Sequence, residues 1–240
     1  MTQQVSNARG NDLFPPGCLN VRGLLMRDTG EDLNELIDWY ENIHSRSATY
    51  MWPCMSRYAR NYITEVQEGP PPPYRVITEF DWKSEEAMQK AQALMGSPLT
   101  AGIARIEYEV NPPAWLTHIF AVLLPVERVR IRAPRPLPDA SAPLARRAVL
   151  LRRAGAASQA DFELAVGRMA AAIAFDAPDA GVALELCRAA PGTDGTPDAF
   201  VFVENAPGGA LPRPDPGAAE IVNVFAVETR KSPLEAASFG

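Results

Sequence analysis

Two stretches of this chain, 129 positions apart, open a helix in the same way, and that repetition constrains the fold more than any other feature. Thr29 and Ser158 each place a hydroxyl where a helix begins, with Asp32 and Asp161 three residues on and acid in the first turn. When the two stretches are superposed, Leu33 falls on Phe162, Leu36 on Ala165, Ile37 on Val166, Tyr40 on Met169 and His44 on Ile173. The packing positions stay apolar, whereas the phenol and the imidazole become a thioether and a hydrocarbon. The fold itself therefore requires no polar group at Tyr40 or His44.

The flanking segments extend the repeat. Leu19 to Met26 reads as a strand, and Leu33, Leu36, Ile37, Tyr40, Ile43 and His44 recur at helical spacing after it. Arg57 to Val66 alternates as a strand, with Tyr58, Arg60, Tyr62 and Thr64 on one face. Gly69-Pro70-Pro71-Pro72-Pro73 is a stiff connection, because proline fixes φ and lacks an N–H to donate. Tyr74 to Trp82 is a further strand, Ser84 caps a second helix, and His118 to Val126 completes the order β-α-β-β-α-β, the ferredoxin-like arrangement. Beyond a proline-rich stretch the order starts again, with strands at 148–152, 181–188, 199–204 and 221–229. Residues 205–220 carry too much Gly and Pro for a helix.

The fold class expected is thus α+β: two ferredoxin-like repeats, the second degenerate and lacking its second helix, packed as an α+β barrel. The divisions are an N-terminal arm over 1–17, a first repeat over 18–127, a proline-rich linker over 128–145 and the degenerate repeat over 146–240. A sheet with helices on one face leaves the other face bare, and covering it requires a second sheet. The second repeat can supply it, or a second chain can, so a homodimer is compatible with the pattern.

Composition narrows the function. The chain has 240 residues, 47% of them hydrophobic, and a formal charge of -6. An acidic globular chain lacks the basic face that nucleic acid or anionic membrane demands. Arg128, Arg130, Arg132 and Arg135 fall in the expected linker without interleaved aromatics, which reads as solvated chain. Cys18, Cys54 and Cys187 suggest neither a disulfide framework nor a zinc site, and no apolar run matches a signal peptide or a membrane span. The expected location is the cytoplasm. Phosphate-binding glycine loops and a nucleophile elbow are missing, and two histidines without clustered carboxylates indicate no metal.

All four Trp, all six Tyr and both His lie within the first 118 residues. A site built from such groups must draw on the first half, so the pocket is expected there, with the second half closing the sheet. His44 is the leading acid/base, since imidazole titrates near neutrality; its plainer reading is a core histidine bonded to a carbonyl. Tyr40, one turn earlier, could donate to a developing oxyanion or be a core aromatic. His118 opens the fourth strand as a further catalytic candidate. Arg22, Arg60 and Tyr62, expected on neighbouring strands, are candidates for binding an anion or enolate, against the alternative of a solvated edge or an ion pair between repeats. Tyr50 and Trp52 could wall the cleft and stack on an aromatic ligand, or simply cover the helix end. Glu79 and Asp81 would be bases if buried, though strand carboxylates more often face water.

The stretch Trp39-Tyr40-Glu41-Asn42-Ile43-His44, the following Pro53, the strand Arg57 to Tyr62, the segment Tyr74 to Met95 and Asn111-Pro112-Pro113 resemble the EthD family of the dimeric α+β barrel superfamily. The resemblance covers about residues 19–126, and the second half is similar only in element order. One departure is at the end of the first helix, where the family's His is usually followed by Ala-Pro and His44 is followed by Ser45-Arg46. The resemblance implies enzymes acting without a cofactor on polyketide-type or other aromatic molecules. With the residues above, it leads to the expectation of a cofactor-independent lyase of aromatic catabolism or tailoring. It would cleave C–C or C–O bonds in a hydrophobic phenolic substrate by decarboxylation or dehydration. The alternatives are a cofactor-free oxygenase of phenols and a non-catalytic carrier of aromatics.

Overall fold

A computed structural model describes residues 17–26, 32–95, 97, 120–133, 142–188, 196–206, 208–232 and 234. The first half holds β1 (Asn20–Met26), α1 (Leu33–Trp39), β2 (Met55–Glu68), β3 (Tyr74–Trp82), α2 (Glu85–Met95) and β4 (Phe120–Arg132). The second holds β5 (Leu144–Arg153), α3 (Gln159–Asp176), β6 (Gly181–Cys187), β7 (Ala199–Glu204) and β8 (Ala219–Lys231). All pairings are antiparallel, and the eight strands close into one barrel in the order β1-β3-β2-β8-β5-β7-β6-β4. Within it the first half runs β4-β1-β3-β2 and the second β8-β5-β7-β6, the same order by position in each half. The seams β2–β8 and β4–β6 join the halves, so closure takes place within one chain.

The caps follow the sequence in two helices of three. Ser84 Oγ accepts from the Ala87 N–H at 3.1 Å, and Ser158 Oγ accepts from the Asp161 N–H at 3.1 Å while donating to Asp161 Oδ2 at 2.6 Å. At α1 the cap is Asp32, whose carboxylate accepts from the Asn34 N–H, and Thr29 lies outside the described residues. The expected linker also needs correction. Arg128 to Arg132 belong to β4, held there by pairing with β6, and β5 begins by Leu144. Arg132 donates to the Ala174 and Ala177 carbonyls at the end of α3, where a cation suits the helix terminus.

Alternation divides the side chains between the barrel interior and the outer faces beneath the helices. Leu24, Ile63, Ile77, Leu124, Val126, Ala148, Leu150, Phe200, Phe202, Phe225 and Val227 form the apolar part of the interior. The rest is ionic. Arg22 is fully buried and donates to both oxygens of Glu185 at 2.6 and 2.7 Å, and to Asp81 at 2.9 Å. Glu79 pairs with Arg57 and Arg128 at 2.7 Å and with Arg146 at 2.6 Å. The strands thus place cations from each half on carboxylates of the other, Arg22 and Arg128 on Glu185, and Arg146 on Glu79.

Candidate functional site

The outer face of the first half carries Tyr58, Arg60 and Tyr62 from β2, all buried. Tyr62 packs with Trp39 and Tyr40, Tyr58 packs with Met51, Met55 and Met88, and Arg60 bonds Glu41 of the segment after α1. That segment departs from regular helix. Tyr40 to His44 form a π turn, in which the Ser45 N–H reaches the Tyr40 carbonyl five residues back. The extra residue changes which side chains meet. The His44 imidazole lies edge-on to the Tyr40 ring, with centroids 4.6 Å apart, and stacks on Trp39 at 5.3 Å and 23°. Tyr40 is buried, and its hydroxyl shares hydrogen bonds with Thr78 and Tyr58. Burial raises its pKa above the ordinary phenol value, the hydrogen bonds opposing only in part, so Tyr40 stays protonated at neutral pH.

Glu41, the residue after Tyr40, organises the adjoining polar groups. Arg60 grips it with two bonds of 2.9 and 2.6 Å, and the Tyr62 hydroxyl donates to it at 2.5 Å. Arg60 also donates to Ser232 Oγ at 2.5 Å and lies 4.8 Å over the Tyr58 ring. Tyr62 is pushed up first by burial and then by the Glu41 carboxylate.

The structure therefore brings together four of the sequence-derived residues: Tyr40 and Tyr62 in ring contact with centroids 6.2 Å apart, Arg60 through Glu41, and His44 against Tyr40. Others it separates. Arg22 is a correction: β3 lies between β1 and β2, and Arg22 points into the barrel, with the sheet between it and Tyr40. Its guanidinium is taken up by the ion pair between halves, the alternative weighed above. Glu79 and Asp81 are also buried in that network, facing arginines. Tyr50 and Trp52 pack with Met51, Cys54, Met55 and Met88 under α2, apart from the Tyr40 cluster. The Trp52 indole N–H is buried without a hydrogen-bond partner among the described residues. His118 lies outside the described residues.

Glu41, Tyr58 and Thr78 were not singled out in the sequence. Tyr58 shares the alternating face of Arg60, so its place was legible; Glu41 needed the π turn, and Thr78 needed the β2–β3 register that sets it opposite Arg60. Thr64, expected on that face, is exposed, because a register shift between Ile63 and Glu65 breaks the alternation. Among the described residues no group of three His, Cys, Asp or Glu can hold a metal, the three cysteines are free, and no helix is long and apolar enough to cross a membrane.

The second half differs from expectation too. Met169 and Ile173 are buried in its core, as the superposition implied. Yet a cleft of about 690 Å³ opens between α3 and the segment 213–218, where a second helix would have lain. The second half therefore does more than close the sheet, since this cleft is lined wholly by residues between Ala156 and Ala218.

No family model matches the chain, and no curated protein matches it. Solved structures with detectable likeness include a provisionally assigned monooxygenase from Lactobacillus acidophilus NCFM, 9% identical over 88% of this chain and 92% of that one, with TM-score 0.41. A chlorite dismutase from Candidatus Nitrospira defluvii in complex with imidazole is 9% identical over 91% of this chain and 92% of its own, also with TM-score 0.41. A provisionally assigned chlorite dismutase gives 9%, 91%, 97% and 0.41.

Proposed function

We propose that this protein is an enzyme acting on a hydrophobic aromatic or phenolic small molecule by proton transfer, with His44 as the acid/base and Tyr40 as the hydrogen-bond donor. The observation that carries the reading is the π turn over Tyr40–His44, which sets a partly exposed imidazole against a buried, protonated tyrosine. Such turns within helices are frequent at functional sites. The Glu41–Arg60–Tyr62 cluster holds the turn against β2 and so positions both groups.

The reaction class is a cofactor-independent lyase. In a decarboxylation, protonated His44 first gives a proton to the ring carbon that bears the carboxylate. Carbon dioxide then departs as the C–C bond electrons return to the ring, and the imidazole regains its proton from solvent. Tyr40 donates to the oxygen on which charge collects. His118 is proposed to stabilise charge on the substrate. The shared strand order of the two halves supports reading the chain as a tandem ferredoxin-like repeat of the dimeric α+β barrel type.

The test is anaerobic turnover of a panel of hydroxybenzoates and hydroxycinnamates, followed by product mass. The reading expects loss of carbon dioxide or water, a fall in kcat/KM of about 10²–10⁴ in His44→Ala, and about 10-fold or more in Tyr40→Phe. Full turnover in His44→Ala would remove the assignment, and turnover only with oxygen would replace the lyase by an oxygenase.

A further inference from the structure

We propose that the outer face of α3 is a self-association surface, on which a second copy of this chain packs its own α3 antiparallel about a two-fold axis. Of the eighteen residues of α3 only Gln159, Asp161, Glu163, Arg168 and Asp176 are polar, and the rest are apolar or glycine. A helix apolar nearly all round is normally covered all round. Here one side is covered: Phe162, Ala165, Val166, Met169, Ala170, Ile173 and Ala174 are buried on the sheet. Opposite them, at heptad spacing, run Asp161, Leu164, Arg168, Ala171 and Phe175. Leu164 is 53% and Phe175 83% exposed.

Charge selects the occupant and the register. Asp161 and Arg168 lie two turns apart on this stripe, and Arg168 makes no ion pair among the described residues. A stripe carrying both signs is complementary to itself, as a two-fold contact requires. Placing each Arg168 against the other chain's Asp161 centres the pair between Leu164 and Ala165, with the two Leu164 side chains at the axis. The same register carries each Phe175 to the turn Ala154–Ala157 of the other chain, where small residues and open space around Gly155 accept a ring. A parallel pair, or one centred on Arg168, sets like charges together. Asp161, Leu164 and Arg168 of the stripe also line the cleft, across from Arg213, which bonds Glu68 at 2.5 and 2.7 Å.

Sedimentation velocity of the full chain from about 1 µM to about 1 mM tests this. The expected result is a reversible dimer whose dissociation constant rises at least about 30-fold in Leu164→Glu and in Phe175→Glu. Arg168→Asp and Asp161→Arg should each weaken it about 10-fold or more, while an equimolar mixture of the two restores dimer to within about 3-fold of the original. Circular dichroism confirms that each variant is folded, since Asp161 also supports the helix cap. If Asp161→Arg fails that check, the Leu164 and Phe175 variants decide alone. A chain that stays monomeric throughout, a dimer indifferent to those two substitutions, or a mixture of folded charge variants no better than either alone overturns the proposal.

Discussion

Glu79 meets Arg57, Arg128 and Arg146 in the barrel interior, and Arg22 lies close enough to act on it as well. Burial by itself would raise its pKa, but the surrounding arginines outweigh burial and hold the carboxyl well below the usual range. Glu185 is likewise held low against burial, by Arg22 and Arg128. Removing the charge with Glu79→Gln strands buried guanidinium groups and should cost about 3–5 kcal/mol in urea unfolding. The pH sign follows from the same depression. A carboxyl whose folded pKa lies below its unfolded value contributes its full stability above about 4.3 and loses it as pH falls through the folded value. The unfolding midpoint should therefore hold steady from about pH 7 to about pH 5 and fall steeply below about pH 4, and Glu79→Gln should flatten that fall. None of this was legible in the sequence, where Glu79 and Asp81 read as strand residues facing water or as bases. Their partners come from four other strands and from both halves of the chain. Tyr40 and His44, by contrast, stand out in the sequence because the second repeat carries Met169 and Ile173 at the matching positions.

At the scale of elements, most boundaries were written in local chemistry. Ser84 and Ser158 cap where the spacing said they would, and Tyr74–Trp82 and Ala199–Glu204 are strands over the expected residues. The π turn was not legible, since helical spacing from Leu33 to His44 gives no sign of one inserted residue. Arg128 to Arg132 misled because a charged run near prolines resembles linker; only the β6 partner makes it a strand. Between β2 and β3 the turn depends on Gly69, which has φ +87° and no room for a side chain, as a Cβ there would lie 2.1 Å from the Val222 carbonyl oxygen. Gly69→Ala should cost at least about 2 kcal/mol in chemical unfolding, from left-handed strain and this backbone clash together. An unchanged midpoint would mean that the turn relaxes freely.

The whole molecule is one barrel closed by its own two halves, and that closure changes what the expected second sheet is for. The second half covers the apolar interior of the first and threads Arg146 and Glu185 into its charge network, so neither half keeps a satisfied interior alone. The element order made the fold class accessible from sequence; the edge-to-edge seams and the ionic interior required the three-dimensional pairing. With the interior filled, the proposed chemistry lies on the outer face beneath the π turn. Imidazole resonances test this claim most directly, because the chain holds two histidines and His44→Ala assigns one of them. In a titration with phenolic acids, any ligand bound should shift the resonances of the His44 ring nitrogens. A ligand that leaves His44 unmoved while shifting the Met169 methyl, in the second-half cleft, would contradict it.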